Sequence, residues 1–278
     1  MQNDRKINWF YLPRELYENR RLIWKLSKND FKTRYAGSYL GIIWAFVQPV
    51  VTVLVYWIVF EKGLNQKTSL ITQGINVPYL LHLTAGLVPW FFFSEALTNG
   101  TTSLLEYHYL VKKVVFKISI LPLIKIIAAT FIHIFFICFM LAVTMLYGIH
   151  PTLYWLQFIY YSVALFLLVL AVSYATCTIV VFFRDLTQII SIILQVGMWA
   201  TPILWDISML DAHPVLGTIF RLNPVYYIVS GYRNSLYGEK WFWQSPGLTV
   251  YYWILVIALF LISATIFKRL KPHLADIM

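Results

Sequence analysis

The chain has 278 residues, 60% of them hydrophobic and only 12% charged, with a formal net charge of +10. Ordinary soluble domains run near 45–50% apolar and about 25% charged, and a soluble fold of this size cannot hide so much apolar surface; the composition excludes that class and leaves lipid as the solvent. Nor does the positive charge imply nucleic acid, because the cations flank apolar stretches and do not gather along one groove.

The first 35 residues contain no uninterrupted apolar core of the kind a cleavable signal needs. A helix over residues 20–35 would place Arg21, Lys25, Lys28 and Lys32 at i, i+4, i+7 and i+11, on one stripe. Leu22, Ile23 and Leu26 lie on a broad region across from it, and Trp24, Phe31 and Tyr35 form a second, narrow apolar line. This is the pattern of a basic amphipathic helix lying along a membrane surface, either as a lipid anchor or as a docking surface for a cytoplasmic partner. Directly after it, Ala36 to Phe60 pass without one charged side chain, 25 residues where about 20 suffice to cross a bilayer.

Six apolar blocks predict six spans: Leu40–Phe60, Val77–Leu97, Ile118–Tyr147, Leu153–Phe183, Leu186–Trp205 and Leu248–Phe267. The third and fourth are long enough to tilt, bend or protrude. With both termini inside, seventeen of the 22 Lys and Arg fall on the cytoplasmic side and five outside, in agreement with the positive-inside rule. Tyr and Trp gather near the predicted span ends, as an interfacial belt would. The sequence reads as one membrane domain over residues 1–278, with a cytoplasmic segment 1–35 and a six-span part 36–278. Cys138 and Cys177 both lie in apolar runs and read as small buried side chains outside any disulfide.

Between spans, the second loop reads EYHYLVKKVVFKISILP and suits either a short cytoplasmic helix or a basic anchor. Glu95 and Lys125 are the charges set most clearly inside spans, near their cytoplasmic ends; snorkelling, or pairing with each other, would reduce their cost. His133 lies deeper and reads either as a hydrogen-bonded core residue or as a proton relay. Arg184-Asp185 occupies the very short fourth loop, where such a pair caps and orients helices or meets a cytoplasmic partner. The stretch Asp206–Gly247 is too apolar for an ordinary loop and too short to span: Asn223-Pro224 breaks the chain, Gly231 offers a second bend, and two short re-entrant helices in the outer leaflet are predicted.

No phosphate-binding G-x-x-x-x-G-K-[ST] loop is present, and the six histidines are scattered without metal-ligand spacing. A membrane enzyme acting on lipid-linked sugars would need acidic residues converging at one membrane face. Near the inner face only Glu95, Glu106 and Asp185 offer themselves besides the lead-in and the tail. A scaffold protein would have no use for so elaborate an outer segment.

In order along the chain stand NDFKTRYAGSYLGIIWAFVQPVV, LVKKVVFKISILPL, VVFFRDLTQII, ATPILW, LNPVYYIVSGYRNSLYG and FKRLKPHLADIM. Together they resemble the permease subunits of type-two ATP-binding-cassette exporters for polysaccharides, the family that moves O-antigen, capsule and wall teichoic acid, over nearly the whole chain. The first-span segment YLGIIWAFVQPVVTVLVYWIVF looks slightly closer to the teichoic-acid branch. The resemblance implies an all-α membrane protein with an N-terminal interface helix, a cytoplasmic coupling helix and re-entrant outer gate helices between spans five and six. It implies a homodimer in the bacterial cytoplasmic membrane, working with two separate ATPase subunits that bind ATP and magnesium, so that this chain holds no cofactor and is not itself an enzyme. A lipid-linked polysaccharide would pass between the two copies. By the same resemblance Asp30, Lys32 and Arg34 belong to the interface helix, Lys112, Lys113 and Phe116 to the coupling helix, and Tyr226, Tyr227 and Tyr232 to the outer gate. Glu95, Lys125, Arg184 and Asp185 are the remaining inner-face charges. An exporter of a small lipophilic compound would carry a similar interface helix and gate.

Overall fold

The computed structural model describes residues 11–37, 39–65, 71–111 and 117–277. Two helices come first, α1 (Tyr11–Glu18) and α2 (Arg20–Tyr35), followed by α3 (Trp44–Trp57), which extends through flanking turns into an apolar stretch Gly41–Gly63. A two-residue hairpin, β1 (Ile71–Thr72) and β2 (Ile75–Asn76), pairs Ile71 with Asn76 and Thr72 with Ile75. Then come α4 (Tyr79–Glu106), the single turn α5 (His108–Val111), α6 (Leu121–Leu146), α7 (Gln157–Phe182), α8 (Leu186–Ala200), α9 (Pro214–Arg221), α10 (Pro224–Tyr237) and α11 (Pro246–Ile277).

Among the described residues, five helical stretches are long and apolar enough to cross a membrane: Gly41–Gly63, Tyr79–Glu106, Ile118–Leu146, Leu153–Phe182 and Pro246–Leu274. The fifth predicted span is the exception. Its apolar run continues to Trp205, but the helix stops at Ala200, because Thr201 precedes Pro202 and takes an extended conformation (φ −93°, ψ 130°). Fifteen helical residues reach about 22 Å, short of a ~30 Å hydrocarbon core. The second span departs the other way. It runs nine residues past the predicted Leu97, and so carries Asn99 and Glu106 on the same rod as Glu95.

α4 is the centre of the bundle. Of its apolar stretch 72% is buried, against 6% for the first span. α6 and α7 pack along it, α11 packs on α7, and α10 wedges against both α4 and α7. The first span and α8 therefore stand at the edge, touching through the Tyr56 hydroxyl and Met198 Sδ at 3.9 Å. Their outward faces (Val51, Leu54 and Val55; Ile192, Ile193 and Val196) are exposed in one copy of the chain. Both cysteines are free; Cys177 is buried as expected, whereas Cys138 is exposed, since its side of α6 faces outward.

Candidate functional site

At the inner end, spacing of three and four residues puts Ile23, Ser27 and Asp30 on the buried face of α2. Arg21, Lys25, Lys28 and Lys32 all remain exposed. α2 packs along α6, with Trp24 and Phe31 set edge-on to Phe131 at 5.4 and 5.6 Å. The preceding α1 is tied to the start of α6 through Glu15, 5% exposed, whose Oε2 accepts from the Ser119 hydroxyl.

Asp30, also 5% exposed, is the hub. Its Oδ1 accepts from Lys125 Nζ at 2.6 Å and from the Tyr107 hydroxyl at 2.6 Å, and its Oδ2 accepts from Arg34 at 3.2 Å. Arg34 reaches on to Glu95 of α4 at 2.5 Å, and Lys125 of α6 reaches Glu106 at 2.7 Å. The result is an alternating chain, Glu95–Arg34–Asp30–Lys125–Glu106, stitching α2 to α4 and α6. Glu95 and Lys125 thus do not pair with each other. Glu95 takes its counter-charge from α2, and Lys125 takes its own from α2 and from Glu106 of α4; Asp30 and Arg34 turn towards the spans and away from the exposed Lys32 face. Burial, and then the hydrogen bond and charge of Asp30, push the Tyr107 phenol above its ordinary pKa, so it stays a donor. A buried ionic chain adds little net stability over apolar packing, but separating its members is costly. It therefore fixes how α2 sits on the spans. Arg184 and Asp185 are exposed at the turn before α8; Asp185 holds the N-cap position but its side chain makes no capping bond. Lys112, Lys113 and Phe116 lie outside the described residues.

At the outer end, α10 runs unbroken through Gly231, where the sequence suggested a bend. The glycine is needed for close approach instead: a Cβ there would lie 2.1 Å from the Tyr161 ring of α7. Asn223 caps α10 by accepting from Val225 N at 2.9 Å, Pro224 occupies the first turn, and Gly238 closes it in the left-handed region (φ 71°). Tyr232 is fully buried, its hydroxyl bonded to His133 Nε2 at 2.9 Å and Ser162 Oγ at 2.7 Å. That gives His133 the core role, with a hydrogen-bonded partner. Tyr227 is also buried, stacked on Tyr252 at 4.6 Å and bonded to Tyr160 and Thr249, whereas Tyr226 is half-buried.

Arg233, one of the five cations placed outside by the charge count, lies five residues before Gly238 on α10. Its guanidinium donates to the carbonyls of Pro202 at 2.7 Å and Ile203 at 2.8 Å. The Tyr79 hydroxyl of α4 donates to Leu204 O at 2.8 Å, and Asn223 Nδ2 donates to Thr201 Oγ1 at 2.8 Å. Together these bonds hold the turn that follows α8. A lone arginine inside an apolar helix is the signal that would have drawn attention to it.

The comparisons with known proteins agree with this architecture. The family model described as "ABC-2 type transporter" matches residues 21–237. The chain is 31% identical over 229 residues to the O-antigen export system permease protein RfbA of Myxococcus xanthus, covering 82% of this chain and 85% of that protein. It is 25% identical over 260 residues to the protein of the same name from Klebsiella pneumoniae, covering 91% and 93%. With the family model spanning α2 through α10 and five long apolar helices around it, the chain is a multi-pass membrane member of the ABC-2 type transporter family.

Proposed function

We propose that the chain is the membrane subunit of an ATP-driven exporter that moves a lipid-linked polysaccharide across the bacterial cytoplasmic membrane. The observation that carries this reading is the similarity, over more than four-fifths of both chains, to proteins named O-antigen export permeases. It favours an O-antigen-type polymer over capsule, and over the teichoic acid to which the first span leans.

Two copies of the chain pair with each other and with two separate nucleotide-binding subunits, which hold ATP and magnesium. The exposed apolar edges of the first span and α8 suit a second copy. α2, through its exposed Lys32, and the segment with Lys112, Lys113 and Phe116 are the surfaces the ATPase meets. Asp30 and Arg34 hand its motion to α4 and α6. α8 with the turn residues after it forms the remaining membrane crossing, keeping both termini cytoplasmic, and α9 and α10, with Tyr226, Tyr227 and Tyr232, form the outer gate.

The test is to purify the chain with its ATPase, reconstitute the complex and measure ATP turnover with lipid-linked glycans and with lipophilic drugs. Stimulation by a glycan is expected. Stimulation by a drug and by no glycan would refute the reading in favour of a small-molecule exporter. Joint replacement of Lys112, Lys113 and Phe116 that left both ATPase binding and export intact would remove the coupling assignment.

A further inference from the structure

Between the first span and α4, just above the Arg34–Glu95 pair, lies an open pocket of about 510 Å³. That is within the roughly 300–1,000 Å³ of small-ligand sites. Its walls carry Gln48, Thr52, Ser94, Thr98 and Asn99. Gln48 lies seven residues into the first span and Asn99 seven residues from the inner end of the second, each about 10 Å along its helix. Among the described residues neither carboxamide has a hydrogen-bond partner. The hydroxyls of Thr52, Ser94 and Thr98 donate to their own helices, at 2.9 Å to Gln48 O, 3.2 Å to Phe91 O and 2.8 Å to Ser94 O, which leaves their oxygens as acceptors. Two unpartnered carboxamides would be costly against acyl chains. Such a wall belongs to a wet path or a polar ligand.

The chemistry of the wall selects the ligand. It offers amide donors and acceptors, hydroxyl acceptors and, at its margins, the rings of Trp44 and Phe91. A charged headgroup is poorly served, because the one cation in the wall, Arg34, is already engaged by Glu95 and Asp30. We infer that this pocket binds an uncharged sugar unit of the transported glycan, through hydrogen bonds to Gln48 and Asn99 and contact with the two rings, and does not bind the carrier's phosphates. The inference rests on the polysaccharide reading above and adds the site and the part of the substrate recognised.

The test measures binding of a polyprenyl-pyrophosphate-linked oligosaccharide, and of polyprenyl pyrophosphate without sugar, to the permease–ATPase complex in nanodiscs. In the unaltered complex the sugar is expected to add affinity. Gln48→Leu with Asn99→Leu should weaken the glycosylated ligand about tenfold while leaving the bare carrier unchanged. Gln48→Leu alone, on the exposed first span, should weaken it about threefold and keeps the test available if the double variant does not assemble. An unchanged sugar increment overturns the pocket assignment and leaves the export reading standing. The same increment with weakened pairing of the two copies assigns the wall to a second copy and overturns it too. Equal loss for both ligands makes the site a phosphate site. If the unaltered complex gains nothing from sugar and no glycan stimulates its ATP turnover, the export reading fails and the inference falls with it.

Discussion

Asp30→Asn is the most direct probe of the inner ionic chain. The carboxylate is 5% exposed and faces Lys125, whose side chain is 8% exposed, and Arg34. Removing one partner of a buried ion pair costs about 3–5 kcal/mol. Part of that is recovered here: Lys125 keeps Glu106, which is 48% exposed, Arg34 keeps Glu95, and the asparagine carbonyl still accepts a hydrogen bond. A loss of roughly 2–3 kcal/mol remains, which for a chain of this size lowers Tm by about 5–10 °C. Thermal unfolding of the purified protein in nanodiscs reads it, with Glu18→Gln as the control. The Arg14–Glu18 pair is 79% and 51% exposed, and its loss should cost well under about 1 kcal/mol. Lys125→Met and the double variant complete a cycle whose coupling energy should exceed about 1 kcal/mol. If Asp30→Asn melted with the control, or the two changes added without coupling, Asp30 would not be the hub.

Gly231→Ala should destabilise by about 2 kcal/mol even though alanine is the better helix former by about 1 kcal/mol, because its Cβ meets the Tyr161 ring. Gly217→Ala in α9, where the nearest atom is Leu210 O at 3.8 Å, should be neutral or slightly stabilising, and equal melting of the two variants would refute the close approach. Arg233→Lys keeps the charge but can serve only one of the two carbonyls reliably, so amide exchange over residues 201–205 should accelerate about tenfold or more, with exchange in α6 unchanged.

Much of the fold was legible because lipid imposes a coarse rule. The third and fourth spans end within one residue of the predicted edges, where apolar runs meet a glycine turn or a charged pair. Where that rule failed, the reason was local chemistry. The polar stretch Thr98–Glu106 reads as a loop on hydropathy, yet Thr101 and Ser103 are buried against neighbouring helices and Thr101 bonds Thr176 at 2.8 Å. The early stop of α8 was announced by Pro202 and hidden by the apolar residues on both sides of it. Asp30 could be placed on its helix but not beside its partners: a helical wheel gives a direction, and only the docking of α2 on α6 shows that Lys125 waits there. Gly231 looked like a bend because glycine breaks helices in isolation, whereas here the Tyr161 ring fills the space a side chain would take.

These placements give the proposed coupling a physical route. α4 is 28 residues long, about 42 Å, and continuous from Tyr79 to Glu106. Its inner half carries Glu95 and Glu106, both held by charges of the α2 network, and its outer end carries Tyr79, which holds the same turn after α8 that Arg233 holds. Burial of 72% of its apolar stretch restrains α4 between those points, with Pro89 as the one position inside the helix where it can kink. A displacement of α2 that keeps its ion pairs intact must therefore move the inner part of α4, and the part of that motion that passes Pro89 bears on the peptide joining α8 to the two short helices. The first span, 6% buried, is coupled to the rest mainly through its junction with α2 and its flank on α4. A push at the inner face would then act on two elements held to different degrees: a well-packed central helix and a loosely held outer span. The pocket lined by Gln48 and Asn99 lies between them, so its width is the dimension such a motion changes first.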